Sequence, residues 1–84
     1  MNTRERAIRR FGEKLRLLRS RRGITLKELA HKLGYSAHGY ISEIESGKKK
    51  PTADLVLKVA ELFAVTTDQL LRDEVKLRQR ANEP

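Results

Sequence analysis

The chain has 84 residues and no cysteine, and its 19 Lys and Arg against 11 Asp and Glu leave a formal charge of +8. That length holds a single core without a large active-site cleft beside it, and the missing thiols exclude a disulfide framework and a thiolate metal site. The positive balance favours a polyanionic partner, nucleic acid first and an anionic membrane surface second.

The charge is uneven, because Met1 to Arg22 carries nine Arg and Lys against only Glu5 and Glu13. No apolar run approaches the roughly 20 residues of a membrane span, and the N-terminal stretch lacks the apolar centre of a secretory signal. A soluble, unprocessed chain suited to a reducing cytosol is expected.

Taken in order, the segment "TRERAIRRFGEKLRLLRSRR" sets Ala7, Ile8, Phe11, Leu15 and Leu18 at three- and four-residue steps, the stripe of an amphipathic helix. Gly23 supplies its stop, free to take the left-handed conformation at a helix end. "TLKELAHKLG" opens with Thr25 and Glu28 at capping-box spacing and predicts a second helix buried through Leu26, Leu29, Ala30 and Leu33, ending at Gly34. Ser36 is placed to cap a third helix with Ile41 and Ile44 inward and Gly47 as its stop. Pro51 bars helix at the residue before it, and Thr52 caps a fourth over "ADLVLKVAELFAV", with Leu55, Val59, Leu62 and Phe63 as core. Thr66 and Gln69 repeat the capping box for a short fifth helix anchored by Leu70 and Leu71. Strand-like alternation is absent, so the fold class is all-α, a compact bundle of five helices.

Two short helices separated by "GYS" read as a helix-turn-helix, whose second helix lies in a DNA major groove. With "LRLLRSRRGITLKELAHKLG", "YISEIESGKKKPT" and "LVLKVAELFAVTTDQLL" in that order, the chain resembles the phage repressor and Cro family of regulators over about Phe11 to Leu71. The resemblance implies a lambda-repressor-like DNA-binding domain, placed at residues 1–72; from Asp73 the tail loses its apolar stripe apart from Val75 and Leu77, so 73–84 reads as a helical or disordered C-terminal extension. It further implies a homodimer acting on a palindromic operator of double-stranded DNA in a bacterial or phage-type cytoplasm, at the nucleoid. Arg19 and Glu45 match a family pair that ties the first helix to the third.

The departures fall on the reading helix. The glutamines usual in the family just after the opening Thr of the second helix and at the start of the third are missing, and Leu26 stands at the first of these positions. Tyr35 to Tyr40 also holds six residues, one more than is common. Helical spacing turns Ala37, His38, Gly39, Ser42, Glu43 and Ser46 opposite or beside the Ile41/Ile44 stripe, toward any groove. Among these base-reading candidates Ala37 suits a thymine methyl, His38 a guanine acceptor and Glu43 the cytosine amino group, while Gly39 and Ser42 allow close approach. The alternatives are an exposed turn residue for His38 and, for Glu43, a surface charge offset by a neighbouring Lys or Arg.

Phosphate contacts are expected from Lys48, Lys49 and Lys50 after the third helix, from Thr25, Lys27 and Ser36 near helix starts, and from the Tyr40 hydroxyl. Arg4, Arg6, Arg9, Arg10, Lys14, Arg16, Arg21 and Arg22 surround the first stripe. They are read as a solvated basic face of a core helix, because burying that stripe in a membrane would uncover the rest. Dimer contacts are expected around Val65, Leu70, Leu71, Val75 and Leu77. An enzyme is excluded, since His31 and His38 have no partners at metal or triad spacing; no metal, cofactor or small-molecule ligand is expected. The alternative class is an antitoxin or protein-binding adaptor on the same fold.

Overall fold

The computed structural model describes residues 9–77, which contain five helices and no strand. They are α1 (Phe11–Arg22), α2 (Leu26–Leu33), α3 (Gly39–Ser46), α4 (Ala53–Phe63) and α5 (Thr67–Leu71). The helix starts follow from local chemistry at three places. In α2 the Thr25 hydroxyl accepts from Glu28 N at 3.0 Å, and Thr25 N donates to the Glu28 carboxylate at 2.7 Å. Thr66 and Gln69 make the same reciprocal pair ahead of α5, and Thr52 Oγ1 accepts from Leu55 N at 3.1 Å ahead of α4. Helices α1, α2 and α3 end on Gly23, Gly34 and Gly47, all at positive φ; α4 ends on Ala64, which holds the left-handed conformation at φ 57° without being glycine.

The start of α3 differs from expectation. His38, not Ser36, occupies the N-cap position, and no side chain caps the helix there. The reason is the extra residue: Gly34 N and Tyr35 N return to the carbonyls of His31 and Ala30, which closes α2 and leaves Ser36 to His38 as an exposed turn before helix resumes at Gly39.

Helix α1 lies along α3, α3 along α2, α2 along α4, α4 along α5, and α5 returns to α1, so the five elements close around one core. Leu15, Leu18, Leu29, Ile41, Leu55, Val59 and Leu70 are completely buried in it. Each such side chain contributes about 1.5–3 kcal/mol by leaving water. Along α4 the buried set is Leu55, Val56, Val59 and Phe63; Leu62, expected in the core, is half-buried. Leu26 is also only half-buried. Ala7 and Ile8 lie outside the described residues.

Two features of α1 had no counterpart in the sequence reading. Gly12 sits against α3 so closely that a Cβ there would overlap the Ile44 carbonyl oxygen and lie 2.6 Å from that of Glu45. Lys14, placed above on a solvated face, is 4% exposed. Its ammonium donates to the carbonyls of Gln69, Arg72 and Val75 at 2.6, 2.7 and 2.7 Å. Burial, with Arg10 nearby, pushes its pKa below the ordinary lysine value. Three carbonyls nevertheless match three N–H groups, which a neutral amine would not have, so the group is held as the ammonium. Residues 73–77 accordingly run as turns drawn onto α1, with Arg10 N also donating to Asp73 Oδ1 at 3.0 Å.

Candidate nucleic-acid interface

Helix α3 turns Ile41, Ile44 and Glu45 inward. By helical geometry Gly39, Ser42, Glu43 and Ser46 lie on the other side; Gly39 and Ser46 are exposed and Ser42 and Glu43 half-exposed. Nothing lies within 4 Å of where a Gly39 Cβ would sit, so the backbone is bare at the helix start. Ala37 and His38, expected on the helix, stand in the exposed turn that precedes it.

The orientation of α3 is held by a buried ion pair. Glu45, its side chain 2% exposed, accepts from Arg19 Nε at 2.7 Å and Arg19 Nη2 at 3.1 Å, a bidentate arrangement that raises the guanidinium pKa above its ordinary value. Arg16 Nε adds a longer contact at 3.5 Å. Arg19 Nη1 also donates to the Ile24 carbonyl at 3.1 Å. One side chain therefore binds α1, the approach to α2 and the inner face of α3. Thr25 and Lys27 are exposed, although the Thr25 backbone amide and hydroxyl oxygen are already engaged with Glu28. Leaving either charge without its partner would cost about 3–5 kcal/mol.

Beyond Gly47 the lysine run is anchored at its base. The amides of Lys48 and Lys49 donate to the Glu43 carbonyl at 2.9 and 3.3 Å, and Lys48, Lys49 and Lys50 are all exposed. The Lys49 ammonium reaches Glu43 Oε1 at 3.3 Å. Tyr40 is half-buried against Tyr35, with ring centroids 5.2 Å apart and tilted 46°. Thus Tyr40, Glu43, Ser46 and the lysines gather at one surface. Ser36 is exposed there too, but three residues ahead of α3, without the helix-start amides that suggested a phosphate contact.

Of the residues expected to pair two copies, Val65 and Leu70 are used in the domain's own core, at 8% and 0% exposure. Leu71 and Leu77 remain half-buried against that core, and Val75 is half-buried. His31 is exposed on α2. Among the described residues no helix is long and apolar enough to cross a membrane.

A helix packed on the core, a turn, and a second helix standing outward with lysines at its end define a helix-turn-helix protein. A model of the helix-turn-helix domain family matches residues 12–75, and the chain belongs to that family. It is 39% identical over 64 residues to the HTH-type transcriptional activator BcrR of Enterococcus faecalis, spanning 76% of this chain and 31% of that protein. It is 42% identical over 62 residues to the HTH-type transcriptional repressor RghR of Bacillus subtilis, spanning 73% of this chain and 45% of that protein. The N-terminal DNA binding domain of SinR from Bacillus subtilis superposes with a TM-score of 0.71 at 29% identity, covering 81% of this chain and 99% of that one. The chain spans about a third to just over half the length of the curated relatives it matches. These likenesses agree with the phage repressor and Cro resemblance seen in the sequence.

Proposed function

We propose that the chain is the DNA-binding domain of a sequence-specific transcriptional regulator that acts in the cytoplasm as a homodimer on a palindromic operator. The observation that carries this reading is α3: its inner face is anchored through Arg19 and Glu45, its outer face is small or polar, and three exposed lysines follow it. Glu43 reads the cytosine amino group, His38 and Ala37 contact bases from the turn, and Gly39 and Ser42 let the helix enter the groove. Lys48, Lys50, Lys27 and the hydroxyls of Thr25, Ser36 and Tyr40 engage phosphates. Leu71, Val75 and Leu77 supply the surface between copies, which sets half-sites about 34 Å or 10 base pairs apart.

The similar proteins named above include an activator and a repressor, so the class proposed is regulator. Selection of bound duplexes from a random pool, followed by titration against salt, tests the proposal. An enriched palindrome is expected, and neutralising six or so phosphates should give a slope of log K against log salt of about −5. A pool without an enriched motif, together with weak binding of all duplexes alike, would replace this reading with that of a protein-binding module.

A further inference from the structure

One connected strip of charged and aromatic side chains crosses from α4 to the outer face of α3. Asp54 Oδ2 pairs with Lys58 Nζ at 3.1 Å, and Lys58 Nζ lies 5.2 Å from the centre of the Tyr35 ring. Tyr35 packs on Tyr40, Lys49 Nζ lies 5.9 Å over Tyr40, and the same ammonium reaches Glu43 Oε1 at 3.3 Å. The two tyrosines bracket Ser36 to Gly39, so the strip braces the lengthened turn and gives Lys49 a fixed bed. Lys49 is held at three points: its amide on the Glu43 carbonyl, its ammonium over a ring, and its ammonium at a carboxylate. Among the described residues Lys48 and Lys50 make no such ion pair, although they belong to the same run.

We propose that Lys49 is a positioning residue for base recognition, folded back along α3 so that Glu43 selects cytosine in one C·G pair. The inference rests on the DNA-binding reading above and adds the source of its specificity. The physical reason lies in the carboxylate. A bare carboxylate carried between two rows of phosphates is repelled, and desolvating it without a donor is costly. An ammonium already beside Oε1 offsets part of that charge, the more so once docking excludes water from the pair. Oε2 then remains to accept from the cytosine N4 amino group, whose donor is unique to that base in the major groove. Lys49 also restricts the Glu43 rotamer, so less freedom is lost when the helix docks.

The test compares the wild type, Lys49→Met, Lys49→Arg, Lys48→Met and Glu43→Gln on a selected duplex and on duplexes carrying each base pair at every position. Positions 43, 48 and 49 lie at the surface, so unchanged thermal melts serve as the folding control. In the wild type one position should prefer C·G by roughly 5- to 150-fold. Glu43→Gln should abolish that preference or move it to adenine. Lys49→Met should cut the discrimination at that same position about threefold or more, and Lys49→Arg should restore it. Lys48→Met should weaken all duplexes alike and lower the salt slope by about one. If Lys49→Met also weakens all duplexes alike with discrimination intact, or Glu43→Gln leaves every preference in place, the proposal is overturned while DNA binding stands. A wild type with no preferred sequence overturns both.

Discussion

Replacing Lys14 by Met keeps the length of the side chain and removes the charge that gathers the end of the molecule. Three carbonyls lose their donor at once, those of Gln69, Arg72 and Val75. An orphaned buried carbonyl costs about 1–3 kcal/mol, so three left in place would cost up to roughly 9 kcal/mol. The chain has a less expensive response. Residues 72–77 are otherwise tied to the start of α1 by two exposed Arg10 bonds to Asp73, and the rest can swing outward to hydrate the Arg72 and Val75 carbonyls, leaving Gln69 in the last turn of α5. The expected loss is one orphan plus the docking of half-buried Val75 and Leu77, together about 2–4 kcal/mol. Removing the desolvation of the ammonium offsets part of this, which favours the lower half of that range. For a domain of this size each kcal/mol lowers the thermal midpoint by roughly 4–8 °C, so a drop on the order of 10–20 °C is expected. Thermal and urea unfolding measure the loss, and amide exchange at residues 72–77 should accelerate well before that of α1. A variant within about 0.5 kcal/mol of wild type, with those amides equally protected, would refute the assignment of Lys14 as the clasp.

Gly12→Ala forces a methyl group against two backbone carbonyls of α3, and α1 and α3 must part to admit it. A loss of about 1–3 kcal/mol is expected despite the better helix propensity of Ala, with weaker DNA binding because the reading helix tilts; a variant more stable than wild type would contradict the close approach. Ala64→Gly should act in the opposite sense. Relief of left-handed strain, about 1–2 kcal/mol, exceeds the added freedom of the unfolded chain, and chemical denaturation should show a gain of about 0.5–1 kcal/mol. Tyr35→Phe addresses pH. Burial raises the Tyr35 pKa above 10.0, so the neutral phenol contributes stability that is fully present below that value and is lost as pH rises through the folded one. Urea midpoints compared at about pH 8 and pH 11 should fall further for wild type than for the Phe variant; equal falls would remove Tyr35 from the account.

The helix ends were legible because their causes are local. Thr25 with Glu28, Thr66 with Gln69 and Thr52 with Leu55 each act across three residues, and Gly23, Gly34 and Gly47 stop their helices by their own backbone freedom. Ser36 misled for the complementary reason: a hydroxyl can cap only the helix that begins beside it, and the longer turn moved that start to Gly39. The pairing of Arg19 with Glu45 was reached through family resemblance, since no local rule joins residues so far apart.

From its order of residues alone, then, the chain settled the starts of α2, α4 and α5, the glycine stops of α1, α2 and α3, most of the inward stripe, and which charges follow the reading helix. The folded arrangement alone decided that Val56 is buried and Leu62 half-buried, that Gly12 touches α3, and that Tyr35, Tyr40, Lys49 and Glu43 form one strip. It also turned Lys14 from a solvated charge into a buried one. The physical reason is range: capping works within a turn of helix, whereas the acceptors of Lys14 lie 55 to 61 residues away and meet it only when α1 and α5 have packed.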